Sequence, residues 1–234
     1  MASNIHPELL KERLRAIEER RFSSTYLQVK SVTDIGDNVA SILEVGPGSG
    51  YFASITKLLE YDVTTTDIKS RNNPDYLGDF RELKISTTFD MVVAFEVLQH
   101  IPYSEFRSSL TKLRDLSNRY VLISLPASVH SFGLSINLPS LISPRRLGLA
   151  WLRGTHSMYV NWEWPRKKYY PESEWSDRSD YWNPHYWEVG RKEYPRSNVL
   201  KEIRQCGLKI LWHKYNQNYT HHLFILEEKT PRSI

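Results

Sequence analysis

Ile42-Leu43-Glu44-Val45-Gly46-Pro47-Gly48-Ser49-Gly50-Tyr51-Phe52 is the stretch on which the reading of this chain turns. The apolar, β-branched run from Ile42 to Val45 reads as a buried strand. Three glycines then break it, and Phe52, Ile55, Leu58 and Leu59 follow at helical spacing. Strand, tight glycine turn and helix, in that order, open a nucleotide-binding βαβ unit. Glycine lets backbone approach a ligand closely, and the N–H groups at a helix start favour polar or anionic ligand groups.

Two details separate this turn from the dinucleotide fingerprint. That fingerprint needs Gly-x-Gly-x-x-Gly, whereas here the third glycine comes one residue early and Tyr51 fills the required position. An acid, Glu44, also stands two positions before the first glycine. Acid-x-Gly-x-Gly-x-Gly resembles motif I of the class I S-adenosylmethionine (SAM) methyltransferases. The resemblance implies that Gly46, Pro47, Gly48, Gly50 and Tyr51 lay backbone against the carboxypropyl and ribose part of SAM. It also implies that Glu44 orients the loop or meets the ligand's amino group. A glycine-rich turn without a ligand is the alternative.

Composition narrows the class. The 234 residues suit one domain of moderate size with a full core. No apolar run is long enough to span a bilayer, and the charged N-terminus lacks the apolar centre of a signal peptide. A single Cys excludes an internal disulfide framework and any Cys-based zinc or iron–sulfur cluster. No metal site is expected. The chain therefore reads as soluble and cytoplasmic. A net charge of +4 and a pI near 9.0 permit an anionic partner without demanding one.

Working outward, Pro7 to about Val29 reads as an amphipathic helix, with Leu9, Leu10, Leu14 and Ile17 on one face and Lys11, Glu12, Arg15, Glu18 and Glu19 on the other. Ser31 to Ala40 reads as a polar connection. Beyond the motif helix, Tyr61 to Ile68 reads as a second strand with Asp67 at its C-terminal end. An acid about 20 residues past a glycine turn is where nucleotide folds hold ribose hydroxyls, and a carboxylate accepts from both. The resemblance makes Asp67, with Ile68 beside it, motif II; a loop-capping Asp is the alternative. It also aligns Gly78-Asp79-Phe80 with the family's acid for the adenine amino group and the apolar residue that packs on the ring. The alternative for Asp79 is an ordinary turn.

Phe89 to Phe95 is a further buried strand. The run Glu96-Val97-Leu98-Gln99-His100-Ile101-Pro102 behind it resembles the signature of the type-11 methyltransferase subgroup. In that subgroup the residues here, Phe95, Glu96, Val97 and His100, line the methionine side of SAM. His100 is a candidate for touching cofactor or substrate, against the plainer reading of a structural His. Ser104 to Leu116 reads as a helix and Tyr120 to Pro126 as the fifth strand. Val199 to Leu211 fits a late helix–Gly–strand step with Gly207 as its cap, and His222 to Glu227 reads as the last strand. The tail from Lys229 reads as frayed.

Residues 127–195 do not follow the minimal fold and read as an insert or lid over the site. They hold Trp151, Trp162, Trp164, Trp175, Trp182 and Trp187 with interleaved Tyr and basic residues. The rings could bind a flat or sugar-like substrate, bind single-stranded nucleic acid, or fill a satellite core; interspersed acids count against nucleic acid. Within the insert, His185-Tyr186-Trp187-Glu188-Val189-Gly190 resembles a turn found in small bacterial type-11-like methyltransferases. His185 and Glu188 stand i and i+3, which on a helical turn shares one face, so the carboxylate could orient the imidazole as a base. Capping a loop and a helix is the alternative. His130 is a second candidate base.

These features give an α/β expectation: a doubly wound, Rossmann-like, mostly parallel seven-stranded sheet with helices on both faces, an antiparallel last strand and an aromatic-rich insert after the fifth strand. Residues 1–234 form one domain, with 1–40 as N-terminal helix and lead-in. The function expected is transfer of a methyl group from SAM, leaving S-adenosylhomocysteine, to an O or N atom of a small molecule, lipid or glycan precursor. His185, Glu188 and His100 are the catalytic candidates. The Asn/Asp-Pro-Pro-aromatic tetrad of base-amino methylation, a Pro-Cys nucleophile and an acidic metal cluster are all missing. A non-catalytic SAM-binding or nucleic-acid-associated module is the alternative, and an NAD-dependent dehydrogenase is disfavoured by Tyr51.

Overall fold

The computed structural model describes residues 19–36, 38–48, 50–137, 157–165, 185–216 and 221–229. Helix α1 (Glu19–Ile35) leads into β1 (Ser41–Val45), α2 (Tyr51–Leu58), β2 (Asp62–Asp67), β3 (Tyr76–Leu77), β4 (Phe89–Phe95), α3 (Phe106–Asp115) and β5 (Ser117–Pro126). Then come β6 (Val129–Asn137), β7 (Ser157–Pro165), α4 (Arg196–Gln205), β8 (Leu208–Tyr215) and β9 (His221–Glu228). Seven strands form one sheet in the order β3-β2-β1-β4-β5-β9-β8. The neighbours from β3 to β5 are parallel, and β9 runs antiparallel to both β5 and β8. This is the doubly wound, mostly parallel sheet expected.

Period-2 alternation divides the core into two layers. Leu43, Val45, Val92, Ala94, Val121 and Ile123 face α3, α4 and Trp187, while Ile42, Met91, Val93 and Leu122 face α1 and α2 through Val32, Phe52 and Ala53. Both faces of β1, β4 and β5 are therefore covered, which is why these strands read as continuous apolar runs. Asp90 interrupts the run in β4 for a reason. Its carboxylate accepts from the Ala40 and Ser41 N–H groups and the Ser41 hydroxyl, fixing the start of β1 beside β4.

Several readings of elements change, and β5 begins at Ser117 rather than Tyr120. Helix α1 continues to Ile35, through residues read as a connection, because Val32 is fully buried and Ser31 turns its hydroxyl back to the Leu27 carbonyl. Its proposed N-terminal portion, including Leu9 to Ile17, lies outside the described residues. The last strand begins at His221 rather than His222. Within the insert, β6 and β7 pair antiparallel as a separate two-stranded sheet. Trp151, Trp175 and Trp182 lie outside the described residues.

The end of the insert is stitched onto the main sheet. Ser128 N–H donates to the Val189 carbonyl at 2.7 Å, and Val189 N–H donates to the Pro126 carbonyl at 3.0 Å. Tyr186 N–H donates to Gln99 O at 2.9 Å, and the Trp187 indole N–H donates to Ile101 O at 3.0 Å. Trp187 is wholly buried against Tyr103 and Phe106. It is core, not a ligand platform. Among the described residues no helix is long and apolar enough to cross a membrane.

Candidate active site

The strand order reverses between β1 and β4, and open α/β sheets bind ligands beyond the carboxyl ends of their strands at such a point. Register brings the sequence candidates there. Val45 pairs with Thr66 on one side and Ala94 on the other, so Gly46, Asp67 and Phe95 emerge level. Asp67 pairs with Leu77, which places Gly78 and Asp79 one step further along.

Gly46 has φ +68°, and an added Cβ would stand 2.6 Å from Val97 Cγ2. Close approach of the two strand ends thus requires glycine at this position. Gly48, at φ +50°, faces open space: its Cβ would find only Gly46 O, 3.9 Å away. Gly50 N–H donates to the Pro47 carbonyl, closing the turn, and Gly50 caps α2 in the left-handed conformation. Tyr51 and Phe52 start that helix and are buried, Phe52 edge-on to Phe95 at 5.0 Å. Glu44 lies beneath the loop, 3% exposed, and accepts from the Ala53 N–H of the first helical turn. Its Oε2 has no hydrogen-bond partner among the described residues. Burial pushes this carboxyl up to about 8, against the Ala53 N–H and Lys57, and with a contribution from Asp67.

Asp67 is 8% exposed and caps its own loop. One oxygen accepts from Lys69 N–H at 2.8 Å, the other from the Asn72 amide at 2.7 Å. The loop-capping geometry is therefore present, although each oxygen retains a second lone pair. Asp79 accepts from Arg81 Nε and Nη2, one edge of the guanidinium, and from the Arg81 N–H, while Nη1 donates to Glu105. Those bonds outweigh burial and hold its carboxyl below the ordinary range. Phe80, expected against the ligand's ring, is 4% exposed and packs into the core with Val45 and Leu98. The apolar surface left bare at these strand ends comes from Ile68 and Leu77, 60% and 57% exposed. Leu77 was missed, and its signal was an apolar residue closing the short edge strand directly before Gly78.

Glu96 emerges from β4 at φ +57°, rare for a residue with a side chain. Its carboxylate turns toward β5 and β9 instead of toward the glycine loop. Ser124 Oγ donates to Oε1 at 2.7 Å, and His221 Nε2 lies 3.2 Å from Oε2. His221 was not singled out from the sequence, because only its position opposite Pro126 brings it to the carboxyl end of β4.

His100 and His185 meet edge to face, ring centroids 5.1 Å apart. His100 Nε2 lies 3.2 Å from the amide nitrogen of buried Gln99. His185 Nδ1 lies 3.0 Å from Glu188 Oε1, and Arg191, with a side chain 7% exposed, holds Glu188 Oε2 through two nitrogens. The helical-turn rationale is corrected: residues 185–190 form a bend and an isolated bridge, not a helix. Burial alone would raise the Glu188 carboxyl, but His185 and Arg191 outweigh it and bring it to about 2. The carboxylate stays ionised and suits an imidazole that gains charge. His130 lies on β6, outside the residues whose side chains are described. Among the described residues no cluster of His, Cys, Asp and Glu could hold a metal ion.

The donor set speaks to ligand charge. The acids nearest the loop, Glu44 beneath it and Asp67 at the neighbouring strand end, favour a ligand with cationic and hydroxyl groups over a pyrophosphate. The unpartnered Glu44 oxygen and the open space at Gly48 fit such a group.

A family model described as "Methyltransferase domain" matches residues 5–187. No curated protein sequence matches the chain. Among solved structures, the chain is similar to magnesium protoporphyrin IX methyltransferase from Synechocystis PCC 6803 with bound SAH, at 14% identity and TM-score 0.54, covering 89% of this chain and 85% of that one. It is similar to Burkholderia thailandensis 1,6-didemethyltoxoflavin-N1-methyltransferase at 11% identity and TM-score 0.54, covering 98% and 92%. It is also similar to the glycopeptide N-methyltransferase MtfA complexed with SAM, at 12% identity and TM-score 0.52, covering 86% and 92%.

Proposed function

This chain belongs to the methyltransferase-domain family, and on that premise we propose that it is a SAM-dependent methyltransferase acting on an O or N atom of a small acceptor. The observation that carries the reading is the convergence of the glycine turn, Glu44, Asp67, Asp79 and the exposed Ile68 and Leu77 at the point where strand order reverses. Glu44 and the loop would hold the amino-acid end of the cofactor, Asp67 its ribose, and Asp79 with Ile68 and Leu77 its base. Bound there, the sulfonium supplies both an activated methyl group and its own leaving group. The acceptors named for the similar structures, a porphyrin, a toxoflavin precursor and a glycopeptide, support an acceptor of modest size.

What remains for the protein is alignment, exclusion of water and removal of the acceptor's proton. His185 takes that proton. With Nδ1 directed at Glu188, its Nε2 is the basic nitrogen, and the ionised Glu188 balances the imidazolium as it forms. Arg191 fixes Glu188 from the other side, and His100 fixes the plane of the His185 ring.

Calorimetric titration with SAM, S-adenosylhomocysteine and NAD tests the reading. Binding of the first two and not of NAD is expected. Binding of NAD alone, or of none of the three, would overturn it.

A further inference from the structure

The chemistry above leaves unused a polar network at the carboxyl end of the sheet, centred on Glu96. Glu96 holds φ +57°, a strained conformation for a non-glycine residue that persists only where its surroundings enforce it. Two contacts enforce it on the side-chain end: Ser124 Oγ on Oε1 at 2.7 Å and His221 Nε2 on Oε2 at 3.2 Å. The backbone adds a third, with Glu96 N–H donating to Ser124 O at 3.1 Å.

His221 carries the network onward. It opens β9 on the same face as Leu223, the face covered by α1 and α2. Its Nδ1 lies 3.2 Å from Ser24 Oγ in α1 and 3.3 Å from Asn216 Nδ2. Asn216 is 3% exposed, accepts the His221 backbone N–H on Oδ1 at 3.1 Å, and donates from Nδ2 to Ser24 Oγ at 3.1 Å. The backbone bond fixes which end of the amide is oxygen. Asn216 Nδ2 is thereby a donor toward Nδ1, so Nδ1 accepts and Nε2–H donates to Glu96. Every hydroxyl and amide in the chain Ser24, Asn216, His221, Glu96, Ser124 then has a consistent direction.

Helix α1 is held differently at its two ends. Its C-terminal half buries Val32, Ser31 and Gln28 against the sheet. Its N-terminal half carries the exposed Tyr26 and is tied through Ser24. Leu27, Val29 and Ile35 pack on the same core, so the apolar anchor runs from Leu27 to Ile35 and the polar tie at Ser24 holds the turns before it. The tie ends at Glu96, one residue from Val97, which lies over Gly46 in the glycine loop.

We propose that Ser24, His221 and Glu96 form a latch fastening the N-terminal half of α1 across the mouth of the site, with His221 the positioning residue that joins helix to β4. The latch rests on the methyltransferase reading for what passes through the mouth, but not for its own existence.

Hydrogen exchange on the full chain, paired with stopped-flow binding of S-adenosylhomocysteine, tests it. In Ser24→Ala and His221→Ala, amides of residues 23–26 should exchange about tenfold faster, with residues 27–35 and β4 unchanged. Association and dissociation of S-adenosylhomocysteine should both speed up about fivefold, leaving Kd within about twofold. Ser24→Thr, which keeps the hydroxyl, should restore both. Unchanged exchange in Ser24→Ala and His221→Ala overturns the latch. So does a uniform rise across α1, β4 and β9 that Ser24→Thr shows equally. Unchanged binding rates beside faster exchange overturn its role at the mouth. If the wild-type chain binds no S-adenosylhomocysteine, the methyltransferase reading fails, while the exchange result still decides the latch.

Discussion

His185 and Glu188 meet across a bend, with Nδ1 of one 3.0 Å from Oε1 of the other. The segment that holds them is fastened at Gln99 and Ile101 after β4, at Pro126, the last residue of β5, and at Ser128 beyond it. The position of His185 therefore comes from the sheet, and its orientation from Glu188. Replacing His185 by Ala should lower turnover on a hydroxyl acceptor by about 10²- to 10³-fold while SAM affinity holds. Steady-state rates beside calorimetry check this, and unimpaired turnover would remove His185 as the base.

Arg191 and Glu188 form a largely buried pair, side chains 7% and 18% exposed. Glu188→Ala leaves the guanidinium without this carboxylate and should cost about 2 kcal/mol of stability, at or below the low end for a broken buried pair because Glu188 keeps some exposure. The double variant Glu188→Ala/Arg191→Ala should lose less than the sum of the singles. Urea denaturation of the four proteins measures the coupling, and strict additivity would show that the two side chains do not depend on each other.

The glycines of the loop should fail in different ways. Gly46→Ala drives a Cβ into Val97 at 2.6 Å and should unseat the loop, lowering both melting temperature and ligand affinity. Val97→Ala in that background should recover part of the melting temperature. Gly48→Val meets no protein atom closer than Gly46 O at 3.9 Å and should lose affinity with little loss of fold beyond the strain of φ +50°. Equal thermal shifts in the two variants would contradict this division.

Glu44 makes stability fall with rising pH. Its folded value of about 8 lies above the ordinary 4.5, so the folded state holds the proton more tightly. The contribution is full below about pH 4.5 and is lost as pH rises through about 8. Glu44→Gln should flatten the melting curve across that window. A cation bound at the loop should also drive the proton off Glu44. Calorimetry at pH 7 in buffers of different ionisation enthalpy should then show proton release on SAM binding in the wild type and none in Glu44→Gln.

Much of the fold was legible because its information is local. Ile42 to Val45 and Phe89 to Phe95 are apolar on both faces, as central parallel strands must be. The glycine turn announced itself by residue type alone. What was hidden depended on distance in the chain. The packing of Phe80 with Val45 and Leu98 follows from the fold, not from its neighbours in sequence. His221 looked like the residue before a strand, yet register sets it beside Glu96. His185 and Glu188 were paired from spacing that assumed a helix, and they meet for another reason: Arg191 and the stitching to β5 shape the bend. No local pattern marks Ser24 as a contact of β9, because that contact spans 197 residues.

The place of β9 in the sheet bears on how the chain is made. Val121, Leu122, Ile123 and Leu125 of β5 are wholly buried, but the strand that covers their open edge starts at His221, roughly a hundred residues after β5 ends. At about 5–20 residues per second of synthesis, β5 is left as a bare apolar edge for several seconds on the ribosome. Such an edge is a template for wrong pairing. Pairing of β9 on that edge is therefore among the last contacts of the sheet to form during synthesis.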